Sequence, residues 1–222
     1  MSKEKPRGSI VEESRSIDEH PLLKEIYNYH DKLISEYTEG DVLEIAGGKN
    51  PYPNSDIVIE ADKNNINIAK EELDNLIQGD LLNLPFKDKI FDTIIGRRFI
   101  HHIPLKNRKN IFLEAERVLT ERGRIIIIEG TPGKFRKITK GIANKLGILD
   151  EKKEDVYGHL TSKELENLFN RSNFELLKSR KLGSPFIPFS YFNSTLTKKL
   201  KYFHKKTQFI RWYTLIIGEL KD

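Results

Sequence analysis

The sequence of 222 residues contains no cysteine, a single methionine and a single tryptophan. Without cysteine, the chain has no disulfides, thiolate zinc sites, cysteine nucleophiles or cysteine-bound iron–sulfur clusters. No apolar run approaches the roughly 20 residues that a membrane-spanning helix needs. Residues 1–7 lack the apolar core of a secretory signal. We therefore expect a cytoplasmic protein.

The length favours one well-cored domain over two. Residues 1–19 are polar and aperiodic, and they are expected to form a flexible tail. Apolar residues then recur at helical spacing, which predicts an N-terminal helix within 20–39. The single domain is expected to span residues 20–222.

Strand-like and helix-like segments alternate along the rest of the chain. Strands are predicted at 41–46, 57–62, 91–95, 124–129, 174–180 and 212–220, and helices at 65–75, 107–119 and 162–171. The last of these helices begins with a capping box, Thr161-Ser-Lys-Glu164. This alternation predicts βαβ units and a mostly parallel sheet in a doubly wound α/β fold.

Positive charge is concentrated in the last part of the chain. Residues 131–222 contain 19 Lys and Arg against 9 Asp and Glu, a net charge of +10 (19 − 9). A solvated lysine-rich surface explains this excess. A basic rim that attracts an acidic acceptor, a nucleic acid or an anionic membrane surface explains it equally well.

One acidic residue lies near the end of each of the first two predicted strands. Glu44 lies in Val42-Leu-Glu-Ile-Ala-Gly-Gly48, where small residues allow a ligand to approach the backbone at the strand's carboxyl edge. Asp62 ends the next strand, where a carboxylate can accept both hydroxyls of a ribose. Glu60 competes for that role, but strand alternation points it elsewhere. The glycine spacing differs from the dinucleotide pattern Gly-x-Gly-x-x-Gly.

Further along, the chain contains a series of short motifs. They are Gly79-Asp80-Leu-Leu-Asn-Leu-Pro-Phe86, then Phe91-Asp92, then Ile100-His-His-Ile-Pro104, and then Glu114-Ala-Glu-Arg-Val-Leu119 before Gly123. In this order the segments resemble the class I methyltransferases, and in particular the broad type 11 group. The resemblance covers roughly residues 40–180. It implies a Rossmann-like, mostly parallel seven-stranded sheet with an N-terminal helix and a C-terminal insertion between the last two strands. It also implies S-adenosyl-L-methionine as cofactor and S-adenosyl-L-homocysteine as product.

The same resemblance implies roles for matched positions. Residues 40–130 would form the cofactor-binding half and 131–222 the acceptor side. Within the first half, a turn at the end of the first strand would wrap the cofactor's amino-acid end, with Glu44 near its ammonium group. Asp62 would hold the ribose, and Asp80 the adenine amino group. The residues implied in cofactor binding are Glu44, Ala46, Gly47, Gly48, Asp62, Lys63, Asp80, Leu81, Gly96 and Arg97.

The turn departs from the family pattern. Ala46 and Asn50 stand where the family usually has glycines. Alanine fits if its φ is negative, whereas asparagine tolerates positive φ. Pro51 and Pro53 forbid an ordinary helix immediately after the turn. We therefore expect a loop or a shortened helix there.

Methyl transfer from a sulfonium requires no nucleophilic side chain and no metal, and the sequence predicts no metal site. The enzyme's main tasks are alignment and exclusion of water. An acidic acceptor group would benefit from a general base. The candidates are His101, His102, Tyr157 and His159, although a structural role suits the two adjacent histidines better.

The acceptor is expected to be a small molecule: a metabolite, a lipid or quinone-like compound, or a natural product. Residues 182–208 form a predicted basic insertion in which aromatic residues precede lysines. Such a segment suits an anionic or aromatic acceptor, a solvent-facing hairpin or a peripheral membrane contact. RNA or protein as acceptor, or a catalytically inactive cofactor-binding module, are the alternatives. Nucleic acid is a less favoured partner, and the sequence leaves the oligomeric state open.

Overall fold

The computed structural model describes residues 21–48, 50–69, 74–131, 157–182 and 213–221. The helices in these ranges are α1 (Pro21–Ser35), α2 (Lys63–Ala69), α3 (Arg108–Val118) and α4 (Ser162–Asn170). Two short 3₁₀ helices, Ile100–His102 and Leu105–Asn107, precede α3. The predicted tail at 1–19 and all of the predicted insertion except Leu182 lie outside the described residues. The domain boundaries stay predictions.

Seven strands form one sheet in the order β3-β2-β1-β4-β5-β7-β6. They are β1 (Val42–Ile45), β2 (Ile57–Glu60), β3 (Leu76–Gln78), β4 (Phe91–Arg97), β5 (Leu119–Gly130), β6 (Phe174–Leu182) and β7 (Tyr213–Leu220). The first five pair in parallel, while β7 is antiparallel to both β5 and β6. The predicted doubly wound, mostly parallel seven-stranded fold is confirmed.

The centre of the sheet is buried on both faces. In β5, Ile125 and Ile127 pack with one side, where Phe112 of α3 and Phe169 of α4 lie. Ile126 and Ile128 pack on the other side with residues of α1. A strand covered on both faces needs apolar residues at every position rather than at alternate ones, which is why the isoleucine run was a clear strand signal.

The structure also tests the predicted loop after β1 and the predicted capping box at Thr161. No helix forms between β1 and β2 in the described residues, and a tight turn closes with the Ser55 backbone N–H donating to the Tyr52 carbonyl at 3.1 Å. The predicted loop is thus confirmed. The capping box at Thr161 and Glu164 is present in full. Among the described helices, none combines the length and apolarity needed to cross a membrane.

Candidate functional site

The chain leaves β1 through a turn with two left-handed residues. Ala46 has φ of 54° and Gly48 has φ of 64°. Ala46 therefore does not meet the condition of a negative φ under which alanine was expected to fit this turn. Its N–H donates to the Ile59 carbonyl of β2 at 2.8 Å, so the backbone reverses while it is still bonded to the neighbouring strand. That hydrogen bond offsets a left-handed penalty of about 1–2 kcal/mol.

The two glycines of this turn serve different purposes. A Cβ on Gly47 would lie 2.5 Å from Cγ1 of Val58, so glycine is needed there for close packing on β2. A Cβ on Gly48 would meet no atom within 4 Å. The Gly48 backbone therefore borders open space at the carboxyl edge of the sheet, where a ligand can approach it closely.

Glu60 fixes the turn from the side of β2. Its Oε2 accepts from the Gly48 N–H at 2.9 Å, and its Oε1 accepts from the Ala61 and Asp62 N–H groups at 2.8 Å each. The prediction that strand alternation directs Glu60 elsewhere is wrong, because the side chain lies at the strand end and bends to the turn. With these three bonds, buried Glu60 acts as a support for the backbone.

Asp62 lies just beyond the end of β2 and is exposed. Its Oδ1 accepts from the Asn64 N–H at 2.7 Å, which caps the first turn of α2. Lys63, also exposed, is the first residue of that helix. Asp62 thus helps to fix the start of α2 through this hydrogen bond, while its carboxylate stays at the surface.

Asp80 and Leu81 follow β3 in the same way. Asp80 is exposed, and its Oδ1 accepts from the Leu82 N–H at 2.9 Å. Leu81 is buried in the core beside it. Because Glu60 pairs with Gln78 in the parallel register, Asp62 and Asp80 each stand two residues beyond paired positions. Asp62 and Asp80 therefore lie beyond the carboxyl ends of two adjacent strands, at the same edge of the sheet.

A polar network fixes the loop that carries Asp80. Glu114 of α3 accepts from the Leu84 N–H at 2.8 Å. Arg117 donates to the carbonyls of Leu84 and Phe86 at 2.9 and 2.7 Å and to Glu114 at 2.7 Å. The hydrogen bond from Arg117 outweighs desolvation and holds the pKa of Glu114 below its usual value. Helix α3 thereby sets the position of the loop.

Glu44 is bound inside the protein. It has no exposed surface, and its Oε1 accepts from Arg97 Nε at 2.9 Å while its Oε2 accepts from the Tyr52 N–H and Ser55 Oγ. The Arg97 guanidinium is thus its positive partner in this structure, and a place for Glu44 near the cofactor's ammonium group stays a prediction. Burial raises the pKa of Glu44, and Arg97 is the largest factor opposing that rise.

Arg97 also joins this buried centre to the N-terminal helix. Its two terminal nitrogens donate to Asp31 Oδ1 at 2.9 Å and to the Asn50 carbonyl at 2.6 Å. The next residue, Arg98, places its guanidinium 4.8 Å from the centroid of the Tyr27 ring. Helix α1 is therefore held against the carboxyl end of β4 by an ion pair and a cation–π contact.

Gly96 lies inside the protein at the same strand end. A Cβ there would lie 2.4 Å from Cε1 of Phe99. Glycine is thus required for packing against Phe99, and a contact of Gly96 with the cofactor stays a prediction.

Three histidines lie beside the ends of β4 and β5. His101 Nδ1 lies 2.6 Å from Glu129 Oε1, and its ring centroid is 4.5 Å from that of His159 and 4.0 Å from that of His102. His101 is buried and His102 is exposed. Tyr157, the fourth candidate base, is 45% exposed.

Glu129 was not predicted as a site residue. Its side chain is fully buried and accepts from the Ile100 and Gly130 N–H groups at 2.9 Å each, besides its contact with His101. Burial alone would raise the pKa of Glu129, but the bonds from His101 and the backbone lower it below the ordinary value. A charged residue directly after an isoleucine run was the signal that could have identified it.

Residues 49–127 match the sequence family described as the methyltransferase domain. The demethylmenaquinone methyltransferase of Thermotoga maritima is 29% identical over 119 residues, which is 49% of this chain and 51% of the relative. The chain thus spans about half the length of the curated relative that it matches.

Solved structures share the fold across nearly the whole chain. A methyltransferase of Thermotoga maritima, described as a possible histamine N-methyltransferase, has a TM-score of 0.62 at 17% identity, covering 93% of this chain and 99% of its own. The geranyl diphosphate C-methyltransferase of Streptomyces coelicolor, in complex with Mg²⁺, geranyl diphosphate and S-adenosyl-L-homocysteine, has a TM-score of 0.63 at 12% identity and covers 97% and 88%. The resemblance predicted from the sequence is confirmed to this extent: residues 49–127 are similar to the methyltransferase domain family, and solved methyltransferases share the fold of the seven-stranded sheet.

Proposed function

We propose that this protein transfers a methyl group from S-adenosyl-L-methionine to a small-molecule acceptor. The observation that carries the proposal is the shared sheet edge at which Asp62 and Asp80 are exposed, next to the open backbone of Gly48. A ligand that contains a ribose and a purine needs acceptors for its hydroxyl and amino groups and an apolar surface for its ring. The residues at this edge fit that requirement.

Each residue of the edge has a defined task in this proposal. Asp62 accepts the ribose hydroxyls with the carboxylate that also caps α2. Asp80 accepts from the adenine amino group, while buried Leu81 provides the apolar surface for the ring. The turn from Ala46 to Gly48 borders the amino-acid end, and the ion pair of Glu44 with Arg97 supports that turn from beneath.

The cofactor supplies an electrophilic methyl group on a sulfonium. The chain has to align the acceptor with that group and keep water away. Helix α1 serves the second task, because Asp31 and Tyr27 bind it to Arg97 and Arg98 at the end of β4. The carboxylates of Asp62 and Asp80, which follow β2 and β3, serve the first task by fixing the cofactor.

A small acceptor agrees with what the relatives act on. The names of two of them refer to demethylmenaquinone and geranyl diphosphate, both small molecules with an apolar part. We infer an acceptor of that general kind, without choosing between carbon and oxygen as the methylated atom. The predicted acceptor-side insertion lies almost wholly outside the described residues.

Calorimetric titration and thermal unfolding with S-adenosyl-L-homocysteine test the cofactor site. The product should bind and raise the melting temperature, whereas NAD should not. Asp62→Ala should weaken binding by at least about tenfold, because charge-assisted hydrogen bonds to the ribose are lost. Asp74→Ala is the matched control, since Asp74 is exposed at the opposite end of β3.

Stabilisation by NAD alone would refute the assignment. Unchanged affinity in folded Asp62→Ala would move the ribose contact to another residue. Incubation with labelled S-adenosyl-L-methionine and a cell extract then identifies the acceptor. Label in the small-molecule fraction supports the proposal, while label confined to RNA or protein contradicts the acceptor class.

A further inference from the structure

A second group of polar side chains lies at the carboxyl ends of β4 and β5. One ligand atom from each of His101, Glu129 and His159 can be chosen so that all three lie within 4.8 Å of one another. The two imidazole centroids are 4.5 Å apart. Imidazoles that share one tetrahedral zinc ion at about 2.1 Å have centroids roughly 5 to 5.5 Å apart, so the two rings would have to separate by about 1 Å or less.

The backbone around these side chains is fixed. Glu129 is oriented by the Ile100 and Gly130 N–H groups. Buried Arg108 donates to the Ile103 carbonyl at 3.0 Å and to the Gly158 carbonyl at 2.9 Å. It thereby joins the segment after His101 to the residue before His159. Such outer bonds orient metal ligands in proteins.

The chemistry of the donor set is specific. Two imidazoles and one carboxylate are the protein ligands of one class of catalytic zinc site, which keeps a further position open. The charge also suits a divalent ion, because Glu129 is an anion in the protein interior. Arg108 interacts with the charge of Glu129, but its guanidinium is already bound to backbone carbonyls.

We propose that His101, Glu129 and His159 bind one divalent transition-metal ion of the zinc type. The sequence alone predicted no metal site, since these residues are separated along the chain by 28 and 30 positions (129 − 101 and 159 − 129). His101 and Glu129 lie at the ends of β4 and β5, whereas Asp62 and Asp80 follow β2 and β3, and no step of the proposed methyl transfer depends on the ion.

Zinc binding to the full, tag-free chain tests this proposal. The protein is first treated with EDTA, and equilibrium dialysis against Zn²⁺ then measures the bound metal by atomic emission. One equivalent is expected for the unaltered chain. His101→Ala and His159→Ala should each weaken binding by at least about tenfold, and Co²⁺ should give a visible absorption band that both changes remove.

His102→Gln is the matched control, because the His102 ring contacts His101 but is exposed. It should keep one equivalent of zinc. Circular dichroism verifies the fold of each variant. If His101→Ala unfolds the chain, His159→Ala still tests the site, because it leaves the buried contact of His101 with Glu129 in place. The absence of stoichiometric binding, or equal binding by the alanine variants, overturns the proposal. Titration of the EDTA-treated protein with S-adenosyl-L-homocysteine reports on the proposed function separately.

Discussion

Replacing Arg97 with methionine tests the buried charge centre under the glycine-containing turn. Methionine keeps much of the apolar stem of arginine but leaves Glu44 without its positive partner. The Glu44 side chain has no exposed surface and the Arg97 side chain is 7% exposed. Breaking such a pair costs about 3–5 kcal/mol of folding free energy. The Tyr52 N–H and Ser55 Oγ still bind Glu44, so we expect a loss near the lower limit, about 3 kcal/mol at pH 8.

The loss should depend on pH in a defined direction. The pKa of Glu44 is already raised by burial, and it rises further when Arg97 is absent. Folded Arg97→Met then binds a proton at a pH where the unfolded chain has released it. Its deficit therefore shrinks as pH falls toward the unfolded pKa and grows as pH rises through the folded pKa.

Urea unfolding at pH 5 and pH 8, followed by circular dichroism, measures both effects. Glu44→Gln with Arg97→Met should recover part of the stability, because position 44 then no longer carries a fully buried charge without a cation. Lys89→Met is the control: its pair with Glu121 is exposed, and no measurable loss is expected. A deficit below about 1 kcal/mol at pH 8, or one independent of pH, would refute the buried ion pair as the support of the turn.

Two further predictions concern positioning and capping. Arg117 is not proposed to contact the cofactor, but Arg117→Ala should weaken binding of S-adenosyl-L-homocysteine because the loop of Asp80 loses its bonds to α3. Calorimetry should show a lower affinity. An equal affinity would mean that the loop holds its position without Arg117. Thr161→Ala removes the capping box of α4 and should cost about 1 kcal/mol in urea unfolding, whereas Thr161→Ser should restore most of it.

Most elements of the fold could be predicted because local patterns determine them, although the three-residue strand β3 was not among the predicted strands. The isoleucines of β5 are apolar at every position, so they require a sheet covered on both faces. The capping box at Thr161 specifies its helix start within a few residues. Asp62 could be proposed because it ends a predicted strand, and parallel strands bring their carboxyl ends to one edge. Asp80 was named only through the resemblance to the methyltransferases, because no strand was predicted before it.

Only the tertiary structure decided which charges meet. Nothing near Glu44 in the chain indicates that Arg97, 53 residues away, pairs with it. Likewise, Glu129 and His159 reach His101 through the adjacency of β4 and β5 and through the bonds of Arg108. Sequence patterns carry the periodicity of a strand or helix, but contacts between distant side chains depend on the packing of complete elements, which no local pattern records.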